Sequence, residues 1–170
     1  MALFRRKGED QLAGVDLRLG PGDTTLASCV DTLTGDSLVA STHQLTVVGT
    51  DGAVVLQRPW HLVDGGSYDN EADVLVATWV DGSEPLAMHV GGHRAFLQAF
   101  RERVQASVVI TEHIELARGR SVRVVIRKNF AQNRLLDQVL LGPGVRLAVP
   151  GVKERVESVR QSLREQVGLS

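Results

Sequence analysis

The hydrophobic pattern of this chain changes period once, and that change limits what it can fold into. From about Thr25 to Val90 apolar residues come in short runs separated by turn formers: 26–30, 38–40, 45–48, 54–56, 62–63, 74–80 and 86–90. Such spacing predicts seven antiparallel strands. Thr34-Gly35-Asp36, Asp51-Gly52 and Asp81-Gly82 supply residues that tolerate positive φ in hairpin turns, and Gly65-Gly66 suits a bend or bulge. After Gly91-Gly92 the repeat becomes helical: Phe96, Leu97, Phe100, Val104 and Val108 fall on one side, with Arg94, Gln98, Arg101, Glu102, Arg103 and Gln105 on the other. An amphipathic helix over about 94–107 is expected to cover the open mouth of the strands.

A second, shorter pattern follows. Residues 108–116 read as helix or strand; 122–127 and 135–141 read as a hairpin turning through 129–134. A closing helix is expected with Pro150 in its first turn, Gly168 at its stop and Val152, Val156, Val159, Leu163 and Val167 in one stripe. A hairpin and a helix bury little alone, so this extension is expected to pack on the strands before it or on a second chain. That makes Val152, Val156, Val159 and Leu163 interface candidates.

Several stretches in order resemble the bacterial pleckstrin-homology-like (PH-like) pattern: Leu19-Gly20-Pro21-Gly22-Asp23, Leu38-Val39-Ala40-Ser41-Thr42 leading into Leu45-Thr46-Val47-Val48, Arg58-Pro59-Trp60-His61-Leu62-Val63, and Val74-Leu75-Val76-Ala77-Thr78-Trp79-Val80-Asp81-Gly82. The resemblance covers about residues 19–110 and rests on element order and local similarity. It implies an α+β protein, mainly β: a seven-stranded antiparallel, partly open barrel capped by a helix, to which this chain adds a C-terminal β-hairpin and helix. The expected organisation is an N-terminal segment 1–18, flexible at its start, a PH-like unit 19–110 and an extension 111–170. The family implies a non-enzymatic binding or scaffolding module working through protein contact or self-association. Lipid-binding members carry basic residues on and after the first strand, where this chain has the acidic Asp31-Thr32-Leu33-Thr34-Gly35-Asp36. Phosphoinositide binding is therefore not expected.

Charge is divided along the chain. Residues 1–90 hold five Lys or Arg against thirteen Asp or Glu, a net of −8, and residues 91–170 hold fourteen against seven, a net of +7. The bland reading is mutual neutralisation within one fold or across a homodimer. The sharper one is a basic patch of Arg120, Arg123, Arg127, Lys128 and Arg134 on the hairpin, offering an alternative function in binding nucleic acid or an anionic surface.

Catalytic signatures are missing. No glycine-rich phosphate loop occurs, and Ser67 lacks the glycine that a nucleophile elbow places two residues later. His89 and His93 are four apart but straddle two glycines without a third ligand, so neither a metal nor another cofactor is expected. An enzyme would need His61, His89 or His93 to meet a carboxylate only in three dimensions. Trp60, Tyr68 and Trp79 are expected in the core. Cys29, the single cysteine, is expected buried and inert, and its isolation favours a cytoplasmic protein. The basic opening Met-Ala-Leu-Phe-Arg-Arg-Lys-Gly has no apolar stretch behind it, so neither an export signal nor a membrane span is expected.

Overall fold

The computed structural model describes residues 11–170. The expected flexible start of segment 1–18 therefore lies outside the described residues as far as residue 10. The chain is α+β, and it divides into two compact units: the residues up to Gln105 with Phe130–Gln132, and Ala106–Asn129 with Asn133–Ser170.

In the first unit, β1 (Thr25–Val30), β2 (Ser37–Ser41), β3 (Gln44–Val48) and β4 (Val54–Pro59) form a four-stranded antiparallel sheet in sequence order. A 3-10 turn, Trp60–Leu62, leads into β5 (Val63–Asp69), β6 (Val74–Trp79) and β7 (Leu86–His89), a three-stranded antiparallel sheet. The seven expected strands are present, but they divide four and three, and among the described residues no sheet closes into the expected partly open barrel. The expected run at 62–63 is displaced. Leu62 belongs to the turn, and β5 continues through Gly65-Gly66-Ser67, which has no apolar signal and is held as strand by pairing with β6. A register shift between Val63 and Gly65 bulges this strand. The three hairpin glycines, Gly35, Gly52 and Gly82, all have positive φ.

Both sheets contribute to one core. Leu38, Ala40, Leu45 and Val47 come from the four-stranded sheet, and Val63, Leu75, Ala77, Trp79 and Met88 from the three-stranded one. The helix α1 (Arg94–Ser107) adds Phe96 and Phe100, both buried. His93 starts that helix: its Nδ1 accepts the Phe96 N–H (3.3 Å) and its carbonyl accepts the Leu97 N–H (3.1 Å). Val108, expected on the helix stripe, is instead the first residue of the next strand.

Two buried carboxylates fasten loops of this unit. Asp23 accepts hydrogen bonds from Ser41 Oγ, Thr42 Oγ1, the His43 N–H and Gln44 Nε2, holding residue 23 to the β2–β3 turn. Asp31 accepts the N–H groups of Leu33 and Thr34 at the end of β1 and that of His89 in β7, while the Thr32 N–H donates to the His89 carbonyl (2.8 Å). Burial pushes the Asp31 pKa up, but the backbone donors and the neighbouring His89 outweigh it and hold the carboxyl below its ordinary range. The acidic stretch after the first strand thus contains a structural carboxylate.

In the second unit β8 (Val108–Glu115), β9 (Ser121–Asn129) and β10 (Arg134–Leu141) make a three-stranded antiparallel sheet with β9 central, so the ambiguous 108–116 segment is strand. The closing helix α2 (Val152–Gln166) lies on one face of it. Val156 and Leu163 are buried, and Val152, Val159 and Val167 pack with them against Ile110, Ile114, Val122, Val124, Ile126, Leu135 and Val139. These interface candidates are therefore covered by their own unit, because the third strand completes an apolar face wide enough to receive the whole stripe. Pro150 lies just outside the helix, whose cap is Gly151 at φ 82°. The C-terminal stop is as expected: Gly168 has φ 73°, its N–H donates to the Glu165 carbonyl, and the Leu169 N–H donates to that of Arg164.

Candidate binding groove

A concavity of about 590 Å³ lies in the first unit between the β5–β6 ribbon and α1. Leu75, Leu97, Phe100 and Val104 supply its apolar wall; Tyr68, Gln98, Arg101 and Gln105 supply its polar rim. The local sequence explains the opening. The Gly65-Gly66 pair leaves the β5 backbone without side chains, and a Cβ on Gly66 would stand 2.4 Å from Phe100 Cε1. Bare backbone thus lets the Phe100 ring sit directly on the strand, where it also meets Trp60 edge-on at 5.6 Å. Leu97 and Val104, on the same helical stripe, are left half-buried in the wall.

Among the described residues β5 is hydrogen-bonded to a strand on one side only, so the groove runs beside a sheet edge. Tyr68 is fixed at the rim by its hydroxyl, which donates to Asp73 Oδ1 (2.7 Å), and the same oxygen accepts the Gly92 N–H (2.8 Å). The hydrogen bond to Asp73 raises the Tyr68 pKa, and the same bond is the first cause lowering that of Asp73. Arg101, exposed, is the only charged side chain of the lining.

The residues singled out from sequence are distributed as follows. Trp60 and Trp79 are in the core as expected, with their indole N–H groups donating to the carbonyls of Ser41 and Glu84, whereas Tyr68 is half-buried at the groove. Cys29 is buried, and burial, followed by Asp31 and Asp73, pushes its thiol up to about 12. His61, His89 and His93 line neither of the two best-formed cavities. His89 Nδ1 lies 3.7 Å from Asp31 Oδ1, a carboxylate already occupied by backbone donors. Among the described residues no three His, Cys, Asp or Glu side chains are grouped to hold a metal ion, and no helix is long and apolar enough to cross a membrane.

The basic hairpin is not a continuous surface. Arg127 is buried, with Nη1 donating to Ser107 Oγ (3.1 Å), and Arg123 and Lys128 are half-buried. Arg134 is exposed, while Arg120 lies at the far end of β9, where it donates to the carbonyls of Ala117 and Gly144. β8 also makes β9 an inner strand instead of half of a free hairpin.

One ionic site escaped the sequence reading. Asp137 of β10, its side chain 8% exposed, receives Arg160 Nε and, at 2.6 Å, Arg164 Nη1, both from α2. Burial raises the Asp137 pKa, but the two guanidinium hydrogen bonds and their charges prevail and lower it. The signal was there: one aspartate interrupts an apolar strand, and two arginines sit one turn apart on the facing helix.

Compared with family models, curated proteins and solved structures, the chain finds no match in any of the three.

Proposed function

We propose that this protein is a non-enzymatic PH-like binding module whose groove between β5 and α1 receives an extended segment of another protein. The element order supports the reading: two antiparallel meanders of four and three strands share a core with a single following helix. The observation that carries it is the coincidence of a sheet edge with an apolar groove. An added strand would lie along the Gly65–Tyr68 stretch of β5, with a place for alternate side chains against Leu97, Phe100 and Val104. Arg101 at the rim favours an acidic residue beside the apolar ones.

Panning a library of random linear peptides against the whole chain tests this. The expected outcome is enrichment of short apolar sequences with an acidic flank, whose binding falls at least about tenfold in Val104→Glu, a loss of the size that one desolvated anchor carries. Val104 is only half-buried, so the variant should remain folded, which tryptophan fluorescence checks. No enrichment, or peptides indifferent to Val104→Glu, would refute the proposal.

A further inference from the structure

One end of the second unit combines exposed apolar side chains with arginines in a way the groove does not use. The turn between β8 and β9 and residues 142–151 between β10 and α2 meet there. The Gly142 N–H donates to the Ser121 carbonyl (2.9 Å), and Arg120 Nη1 reaches the Gly144 carbonyl (3.4 Å). The approach is close enough to require glycine, since a Cβ at 142 would stand 2.5 Å from the Ser121 oxygen. Between the two segments is a shallow hollow of about 190 Å³ walled by Leu116, Val145, Val149 and Val152.

The segment from residue 141 to 149 also exposes apolar side chains. Leu141, Leu147 and Val149 are 44%, 38% and 40% exposed, three of the seven large apolar side chains so exposed among the described residues. In the same two segments Arg118 and Arg146 are exposed and Arg120 is half-buried, and Arg120 and Arg146 line the hollow together with Val149. Arg118 has φ 63°, a left-handed conformation that costs a side-chain-bearing residue energy, and it occupies the tip of the turn next to Gly119, which shares that conformation. Residues 115–120 and 141–155 carry Arg118, Arg120, Arg146, Lys153 and Arg155 against Glu115 and Glu154, a net of +3.

We infer that this end is a contact site for an anionic lipid bilayer. Arginines beside exposed leucine and valine in adjoining loops complement a membrane surface in both respects: negative headgroups for the guanidinium groups, and the headgroup–acyl boundary for the apolar side chains. A nucleic acid would satisfy the arginines and leave Leu141, Leu147 and Val149 in water, with no aromatic ring in these loops on which a base could stack. The site shares no residue with the groove, so the two readings stand or fall separately.

The test is co-sedimentation of the whole chain with vesicles of phosphatidylcholine, alone or mixed with phosphatidylserine, at low and high salt. Binding is expected to the mixed vesicles only and to weaken as salt rises. Leu147→Asp with Val149→Asp should reduce it about tenfold or more, as should Arg118→Glu with Arg146→Glu. All four residues are exposed, and circular dichroism of each variant establishes that it is folded. Failure to bind the mixed vesicles would overturn the inference. So would binding that survives the two aspartates, or arginine-dependent binding to single-stranded DNA that is indifferent to them.

Discussion

The Phe100 ring lies on Gly66, and replacing that glycine by alanine measures how firmly the helix is seated. Gly66 does not have positive φ, so alanine can adopt its backbone, and by restricting the unfolded chain would add about 0.4–1 kcal/mol of stability. The new methyl carbon, however, would stand 2.4 Å from Phe100 Cε1 and 3.0 Å from Cζ. Carbon contacts are favourable only from about 3.5 Å, so the ring must withdraw by about 1 Å, which disturbs its edge-on contact with Trp60. Overpacking of this kind costs about 1–3 kcal/mol, and with both ranges taken at their middle the entropic gain leaves a net loss of about 1.3 kcal/mol. Both tryptophans, Trp60 and Trp79, lie in the first unit, so a urea titration followed by their fluorescence reports that unit directly. Gly66→Ala is expected to lower the midpoint without changing the slope. Phe100→Leu shortens the offending side chain, and the double variant should lose less than the two single losses added, with a coupling of about 1 kcal/mol or more. A Gly66→Ala protein as stable as the parent, or strict additivity with Phe100→Leu, would refute the packing described.

Three other outcomes are expected. Asp137→Ala should destabilise the second unit by about 2–3 kcal/mol, less than for a fully buried pair because both guanidinium groups keep part of their hydration, and amide exchange along α2 reads the loss. Because the folded pKa of Asp137 is lowered, its contribution is complete above the ordinary carboxylate range and disappears as pH falls through the folded value; protection along α2, taken relative to the intrinsic exchange rate at each pH, should therefore fall in acid more in the parent than in the Ala variant. Asp31→Ala should cost the first unit about 2–3 kcal/mol in the same fluorescence titration, since three backbone donors lose a charged acceptor, and an unchanged midpoint would contradict that role. Cys29, with its thiol pushed up to about 12, should ignore an aromatic disulfide reagent at pH 8 until urea unfolds the unit; stoichiometric labelling of the folded chain would show the site open.

Much of the strand pattern was legible because it is punctuated. Gly52 and Gly82 follow aspartates at turns that need positive φ, and apolar runs lie between them. β5 was not, since Gly65-Gly66-Ser67 has no strand propensity of its own and becomes strand only beside β6. For the same reason its place at the end of its sheet, and the groove beside it, have no linear signature; Leu97 and Val104 read as two more members of a core stripe. The valine stripe of α2 was visible as a stripe, but what covers it depended on whether 108–116 is strand, which periodicity left undecided. Arg127 misled because arginine in a strand ordinarily marks the solvent face, and its burial beside Ser107, a residue twenty positions earlier, has no linear signature.

The Asp31 carboxylate binds donors two, three and fifty-eight residues further along the chain. A ribosome releases Leu33 and Thr34 almost at once but delivers His89 only after both sheets have nearly emerged. Vectorial synthesis can therefore build the first hairpin early and still leave its anchor half-made, so we expect this unit to be completed as a whole, with its earliest strand waiting for its seventh.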